Sequence, residues 1–99
     1  MKIIWSPLAI NRTAEIVEYI SKDKPTIAQN WVEKIFEKVN LLKSSPELGR
    51  IVPETKRKDV RKLLSGNYRI IYRIEKTNIF ILSIRHGKQI LPVDEIEEM

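Results

Sequence analysis

Two consecutive apolar runs in the second half of the chain carry the clearest pattern of the sequence. Residues 68–74 read Tyr-Arg-Ile-Ile-Tyr-Arg-Ile, residues 79–86 read Ile-Phe-Ile-Leu-Ser-Ile-Arg-His, and a polar link, 75–78, separates them. β-Branched and aromatic residues are typical of strands, so this pattern predicts an antiparallel hairpin. The second run is apolar at nearly every position, which is typical of a central strand covered on both faces. We therefore expect this hairpin to form the core.

Side-chain alternation assigns the charged residues of the hairpin to faces. In the first run the tyrosines and two isoleucines share one face, and Arg69 and Arg73 lie on the other. Strict alternation in the second run places Arg85 with the odd-numbered residues and His86 with the even-numbered ones. Whether Arg69 and His86 share a face depends on the register of the two strands and stays open. These four side chains are the first candidates for chemistry.

The N-terminal half is predicted to form one strand and two helices. Residues 2–5 form a short apolar strand, and Ser6 followed by Pro7 is typical of a helix N-cap and first helical position. Apolar residues at spacings of three and four predict helices over residues 7–21 and 25–44, each opened by a proline. On this spacing Trp31 belongs to the core, and Trp5, which ends the first strand, is expected to close onto the helices. We therefore interpret both tryptophans as structural and not as platforms for base stacking.

The remaining segments complete an α+β fold. A loop leaves the second helix, the latter part of residues 56–64 reads as a strand, and a short turn leads into the hairpin. The expected order is β-α-α-β-β-β, an N-terminal strand, an αα-hairpin and a three-stranded antiparallel meander, with the helices on one face of the sheet. Residues 1–99 are the length of a single domain. We expect the acidic tail from residue 90 onward to fray or to dock loosely.

Composition narrows the classes of function. The chain has 42% hydrophobic and 31% charged residues, as folded proteins do, and it has no cysteine, which excludes disulfides and zinc–thiolate sites. It has no apolar run near the roughly 20 residues that span a bilayer and no recognisable signal peptide, so we expect a cytoplasmic protein without a membrane partner. No glycine-rich phosphate loop and no metal-ligand spacing are present, so we expect neither cofactor nor metal.

The net charge of +5 is unevenly distributed. Residues 1–49 are close to balance, residues 50–88 hold eleven basic and three acidic residues, and residues 89–99 hold four acidic residues and no basic one. A basic block that coincides with the predicted sheet indicates a positive face suited to a polyanion or an acidic protein. The alternative is that these charges are only a solvated surface.

The order of elements and several short motifs resemble the RelE/ParE superfamily, the toxins of bacterial type II toxin–antitoxin systems. The motifs are Trp5-Ser6-Pro7, Glu18-Tyr19-Ile20, Ala28 with Trp31, Ser45-Pro46, Gly49-Arg50, Val52-Pro53-Glu54, the run 67–73 and Arg85-His86-Gly87. The resemblance covers nearly the whole chain and looks strongest to the ParE branch, sometimes described as plasmid-stabilisation proteins. It implies growth arrest, a cognate acidic antitoxin that wraps the toxin, and contact with promoter DNA only through that antitoxin.

The resemblance implies two different targets. ParE-type toxins poison DNA gyrase, whereas RelE-type toxins cut mRNA on the ribosome. Metal-free RNA cleavage needs a base, an acid and cations around the phosphate, and the resemblance would assign Glu54 as base, Arg61 and Arg69 as phosphate clamps and His86 as acid. Nucleases of the superfamily also carry a tyrosine just after the final strand, where this chain has Gly87.

The missing tyrosine favours a gyrase-binding toxin that is not an enzyme. The alternatives are a RelE-like, ribosome-dependent mRNA endonuclease and a degenerate toxin that only binds its antitoxin. Each site residue also has a structural interpretation: His86 as an ordinary strand-end residue, and Arg69 as an ion-pair partner of Glu54. The residues predicted to contact the target or a polyanion are Lys56, Arg57, Arg61, Arg69, Arg73 and Arg85.

Overall fold

Two helices pack on one face of a five-stranded sheet in the computed structural model, which describes residues 1–87. The elements are β1 (Lys2–Trp5), α1 (Pro7–Ser21), α2 (Pro25–Leu41), β2 (Arg50–Ile51), β3 (Val60–Ser65), β4 (Tyr68–Glu75) and β5 (Asn78–His86). The α+β class, the αα-hairpin and the β3-β4-β5 meander predicted from the sequence are confirmed. The two-residue strand β2 was not predicted, because so short a segment carries no alternation.

The strand order explains why β5 is apolar on both faces. The order across the sheet is β1-β5-β4-β3-β2, so β5 lies between β1, its parallel neighbour, and β4, its antiparallel neighbour. Ile3 lies opposite Ile79 and Trp5 opposite Ile81, which brings the N-terminal strand into the same sheet as the hairpin. The expectation that β5 is an interior strand is confirmed.

The start and the end of the helical layer are set by local hydrogen bonds. The Ser6 hydroxyl accepts a hydrogen bond from the Ala9 amide at 3.0 Å and donates one to the Leu82 carbonyl at 2.9 Å, so it caps α1 and fastens it to β5. Helix α2 ends before the predicted boundary at residue 44. The α-helical hydrogen bonding stops there, because the Leu42 amide donates to the carbonyl of Val39, three residues back, as in a tighter 3₁₀ turn.

Replacing Ser6 by alanine is expected to lower the free energy of unfolding by about 1–2 kcal/mol, since the change removes both the helix cap and the bond to the sheet. Thermal and urea unfolding measure this loss. Ser44 supplies the control, because its exposed hydroxyl makes only a 3.5 Å contact with the Leu41 carbonyl. A Ser6→Ala variant as stable as Ser44→Ala would contradict the capping role.

Both faces of the sheet are covered. The helix-side core consists of Ala9, Ile35, Val39, Leu42, Leu63, Ile70, Tyr72, Ile79, Ile81 and Ile84. The loop-side core consists of Val52, Val60, Ile71 and Leu82, with Phe80 packed against it. Trp5 and Trp31 pack against the helix-side core, as the sequence predicts from the strand end at Trp5 and the helical spacing at Trp31. Ile27 and Phe36, although in the apolar stripe of α2, are exposed at its margins.

A β-bulge interrupts the pairing of β4 with β5. Ile71 lies opposite Ser83, but the next residue, Tyr72, lies opposite Ile81, so Leu82 has no counterpart on β4. An inserted residue of this kind shifts the alternation of the side chains that follow it by one position. Ile81 belongs to the helix-side core and Leu82 to the loop-side core.

Strict alternation along the second apolar run is therefore wrong beyond the bulge. Ile84 lies in the helix-side core with the isoleucines that precede the bulge. Arg85 lies opposite Arg69 on the loop side, and His86 lies opposite Tyr68 on the helix side. The physical reason is the unpaired residue, whose position an almost continuously apolar run does not reveal. Arg69 and His86 consequently face opposite sides of the sheet.

Candidate functional site

The loop side of the sheet gathers the basic residues of the second half of the chain. Arg69 and Arg85 are direct cross-strand neighbours there, and Lys62, opposite Ile71, lies on the same side. The segment 52–59 covers this side through Val52 and adds its own cations. We call this surface the cationic face, and it consists of Lys56, Arg57, Lys58, Lys62, Arg69, Arg73 and Arg85.

Arg69 anchors residues 52–59, which we call the covering loop, to the sheet. Its residue surface is only 6% exposed, and its Nη1 lies 3.5 Å from Oε2 of Glu54. A buried guanidinium requires an anionic or hydrogen-bonding partner, because desolvating an unpaired charge is costly. The ion pair considered from the sequence is thus present in the structure, and it holds residues 52–59 over the loop-side core.

Two more arginines of the cationic face are anchored, whereas two lysines are exposed. Arg73 bonds the Glu75 carboxylate and lies 4.6 Å from the centre of the Phe80 ring, a cation–π distance. Arg57 donates two hydrogen bonds to Asp59, and these bonds lower the pKa of that carboxyl group against the opposing effect of its partial burial. The side chains left most accessible to a partner are the lysines that flank Arg57, Lys56 and Lys58.

Arg61 lies on the other side of the sheet. It is opposite Tyr72, whose ring belongs to the helix-side core. Its Nη1 donates to the Gly49 carbonyl at 2.9 Å, so the guanidinium fastens the loop that enters β2. Arg61 therefore does not share a surface with the cationic face, although the sequence grouped the two together.

His86 lies at the end of β5 on the helix side. Its ring packs edge-on against Tyr68 with centroids 5.4 Å apart, and Tyr68 packs in the same way against Trp31 at 5.1 Å. A cleft of about 560 Å³ opens beside this stack, between α1 and the ends of β4 and β5. The cleft is lined by Arg12, Glu15, Ile16, Tyr19, Tyr68, Ile84, Arg85 and His86.

The four residues assigned to a nuclease site fall into two groups. Glu54 and Arg69 are paired on the loop side, whereas Arg61 and His86 face the helix side from different strands. A base, an acid and phosphate clamps must surround one phosphate to act on it together. The sheet itself separates these two groups, so the structure does not bring the set to one point.

Tyr72 is a structural feature that the sequence did not single out. Its ring is fully buried, its hydroxyl donates to the Pro46 carbonyl at 2.7 Å, and the same hydroxyl accepts from the Gly49 amide at 2.8 Å. Burial raises the pKa of this phenol. Lys62 was also missed, although the two-residue link between Ser65 and Tyr68 fixes the register that places it.

Within residues 1–87, no group of three or more acidic or histidine side chains is placed to hold a metal ion. Neither of the two helices in that range combines the length and apolar character needed to cross a membrane.

Comparisons with known proteins agree with this architecture. Residues 3–91 match the family model of the ParE toxin of type II toxin–antitoxin systems. A candidate toxin, Y4kP of Sinorhizobium fredii, is 34% identical over 93 residues, which cover 92% of this chain and 93% of the relative.

Two solved structures share the fold. A chain of the chromosomal ParDE toxin–antitoxin system of P. aeruginosa superposes with a TM-score of 0.73 at 24% identity, covering 89% of this chain and 97% of its own. A chain of the RelBE2 toxin–antitoxin complex of Mycobacterium tuberculosis gives 0.55 at 23% identity, covering 86% and 95%. The resemblance drawn from the sequence motifs is confirmed, and this chain belongs to the ParE toxin family of type II toxin–antitoxin systems.

Proposed function

We propose that this protein is a toxin that inhibits DNA gyrase by binding it and that a cognate antitoxin neutralises it. The observation that carries the proposal is the separation of Glu54 and Arg69 from Arg61 and His86 by the sheet. This arrangement leaves a surface for binding, and it does not bring these four residues together as a set that could cut RNA. Membership in the ParE family supports the same target.

The cationic face supplies the surface for the target. Arg57, Arg69 and Arg73 are held in place by ion pairs with Asp59, Glu54 and Glu75, which offset their charges, so much of the accessible positive charge lies on the exposed side chains of Lys56 and Lys58. Clustered charge of one sign accelerates encounter with an acidic protein surface or with DNA held by a protein. Both kinds of partner suit a complex of gyrase with DNA.

The helical layer supplies a separate surface for the antitoxin. Several large apolar side chains on α1 and α2 are exposed, an arrangement that is typical of protein interfaces. These side chains are Ile10, Tyr19, Ile27, Phe36 and Leu41. An amphipathic helix that lays its apolar face along an αα-hairpin would cover them. The two solved structures named above are toxin–antitoxin complexes, which supports a partner of this kind.

Purified toxin is expected to inhibit the supercoiling of relaxed plasmid by gyrase, or to trap gyrase on cleaved DNA, because binding at the cationic face would block the enzyme's cycle. Gel electrophoresis of the plasmid measures both effects. Prior addition of the antitoxin should restore supercoiling. Unaltered gyrase activity at a tenfold molar excess of toxin would reject the proposed target.

A ribosome-programmed translation reaction tests the RelE-like alternative. Mapping mRNA ends after addition of the toxin should reveal no new cleavage at the decoding site. New ends that disappear in both the Arg69→Ala and the His86→Ala variants would instead establish an endonuclease, and would require that residues on opposite sides of the sheet act in one reaction.

A further inference from the structure

Two arginines lie side by side on the loop side of the sheet, and a carboxylate of the covering loop reaches one of them. Arg69 of β4 is the direct cross-strand neighbour of Arg85 of β5. Like charges at opposite positions of neighbouring strands destabilise a sheet, so such a pair favours an anion nearby. Oε2 of Glu54 lies 3.5 Å from Nη1 of Arg69. The chain thus places a carboxylate of its own at a position suited to an anion from a partner.

The contact of Glu54 with Arg69 is longer than that of a neighbouring ion pair. Charge-assisted hydrogen bonds between nitrogen and oxygen usually span about 2.7–2.9 Å. The pair of Arg57 with Asp59 has this length, 2.7 Å, whereas Glu54 lies 3.5 Å from its guanidinium. A longer contact is weaker, so the Glu54 carboxylate is the easier of the two to displace.

The two partners differ in their access to solvent. The side chain of Arg69 is 8% exposed, and that of Glu54 is 34% exposed. A partly hydrated carboxylate loses little when it turns into water, whereas a buried guanidinium that loses an anionic partner is destabilised. Exchange of Glu54 for another anion is therefore easier than its simple departure.

The covering loop is attached to the sheet by more than Glu54. At one end Val52 is fully buried, and its amide donates to the Val60 carbonyl at 3.2 Å. At the other end the Asp59 carbonyl accepts a hydrogen bond from the Ile74 amide at 2.8 Å. These bonds do not involve the Glu54 side chain, so its carboxylate can change rotamer while the loop stays on the sheet.

We propose that Glu54 occupies the place of an acidic side chain of the target, and that the target displaces it when the toxin binds. Glu54 is then an intramolecular competitor, since it offsets the charge of Arg69 in the free toxin and repels an incoming carboxylate. The inference rests on the proposed binding of gyrase. It adds the chemical group that Arg69 and Arg85 receive, which is a carboxylate of an acidic protein surface.

The observations favour a protein carboxylate over a phosphate of DNA. Arg69 is recessed, and the group that reaches it from the covering loop is a carboxylate on a flexible side chain. The phosphates of a duplex lie on a stiff backbone, and the exposed Lys56 and Lys58 would meet them first. A flexible acidic side chain of a protein is therefore the better substitute for Glu54.

Replacing Glu54 by glutamine is expected to tighten the binding of acidic partners, because glutamine keeps the shape but neither offsets Arg69 nor repels a carboxylate. The probe is a short fluorescent polyglutamate peptide, titrated with the full-length toxin and followed by anisotropy. Its Kd should fall about three- to tenfold for Glu54→Gln, and the toxin concentration that half-inhibits gyrase should fall by a similar ratio.

The matched control is Glu33→Gln, which makes the same change of charge on an exposed residue of α2. This variant should alter the Kd for polyglutamate by less than about twofold, because salt screens exposed charges that lie far from the site. Equal gains in Glu54→Gln and Glu33→Gln would show an effect of net charge alone, and overturn the inference.

A double-mutant cycle with Arg69→Gln separates displacement from simple repulsion. If Glu54 competes for Arg69, the gain from Glu54→Gln should shrink to less than about twofold in the Arg69→Gln background, where the shared partner is absent. An equal gain in both backgrounds would show that Glu54 is only a repelling charge, and overturns the inference. Thermal melting followed by circular dichroism establishes that each variant is folded.

A measurement on the wild-type toxin needs no variant. The NMR resonance of the Glu54 carboxyl carbon should shift when polyglutamate saturates the toxin, because the carboxylate passes from a guanidinium to water. The corresponding resonance of Glu33 should stay in place. An unmoved Glu54 resonance at saturation overturns the inference.

The remaining outcomes distinguish the inference from the proposed function. Gyrase inhibition by Glu54→Gln that is equal to or weaker than that of wild type overturns the displacement and leaves gyrase as the target. Tighter polyglutamate binding by a Glu54→Gln toxin, when the wild type does not inhibit gyrase, supports the displacement and rejects gyrase. A gain for oligothymidylate that exceeds the gain for polyglutamate assigns the site to nucleic acid, and overturns the inference of a carboxylate.

Discussion

Replacing Tyr72 by phenylalanine is expected to lower the free energy of unfolding by about 2–3 kcal/mol, because the buried Gly49 amide would lose its partner and the Pro46 carbonyl its donor. For a domain of this size such a loss corresponds to a melting temperature lower by roughly 10–20 °C. Chemical and thermal unfolding, followed by circular dichroism, measure the change. The ring itself stays, so the loss isolates the hydroxyl and not the packing.

Tyr19→Phe is the matched control for Tyr72→Phe. It makes the same chemical change on an exposed side chain of α1, and its stability should stay within about 0.5 kcal/mol of wild type. If the Tyr72→Phe and Tyr19→Phe variants have the same melting temperature, the Tyr72 hydroxyl does not hold the loop between α2 and β2.

Ionisation of the Tyr72 hydroxyl should make the free energy of unfolding depend on pH in the alkaline range. Burial raises the pKa of Tyr72 above its ordinary value of 10.0, so the folded state holds this proton more tightly than the unfolded state does. The stabilising contribution is therefore complete below about pH 10 and declines as the pH rises from there through the raised pKa. Tyr72→Phe has no such proton. The difference in stability between wild type and variant should shrink above pH 10, and a constant difference would contradict the role of burial.

The parts of the fold that the sequence predicts correctly are those that residues close together in the chain determine. The sequence predicts both ends of helix α1, since Ser6 and Pro7 mark its start and the helical spacing of apolar residues extends to Ile20, next to the observed end at Ser21. The β3-β4-β5 meander is predicted because its strands are long enough to show alternation and its links are short. β2 is absent from the prediction because a contact with Tyr72, distant in sequence, sets its two-residue length.

The candidate surface was less predictable than the fold, because one unpaired residue decides it. The bulge at Leu82 exchanges the faces of Arg85 and His86, so that Arg85 lies opposite Arg69 on the loop side and His86 lies opposite Tyr68 on the helix side, where both strands end at the cleft. Arg61 belongs to the basic block but lies on the other side of the sheet. It is offset along β3 by one residue from Lys62 and by three from Leu64, the residue opposite Arg69, and an odd offset reverses the side of a strand. The number of basic residues therefore identifies a basic segment of the sequence, but only the register of the strands shows which of these residues share a surface.

A double charge reversal on the covering loop tests whether the cationic face is what meets the target. Lys56→Glu with Lys58→Glu changes the charge of the most accessible part of the face by four units without touching the anchored arginines. Attraction would become repulsion, and the toxin concentration that half-inhibits gyrase supercoiling should rise about thirtyfold at low ionic strength. Because the interaction is between exposed charges, the difference should narrow as salt is raised and the Debye length falls.

The control reverses the same number of charges on the opposite layer. Lys24→Glu with Lys34→Glu alters exposed lysines of the helical hairpin, where Lys24 precedes the first turn of α2 and an acidic residue suits the helix dipole. Net charge then matches the loop variant, so any difference between the two reports the location of the charges. Gyrase inhibition by the helix variant should stay within about threefold of wild type. Equal losses in both variants would show that inhibition depends on net charge alone, and a loop variant as potent as wild type would remove the cationic face from the target interface.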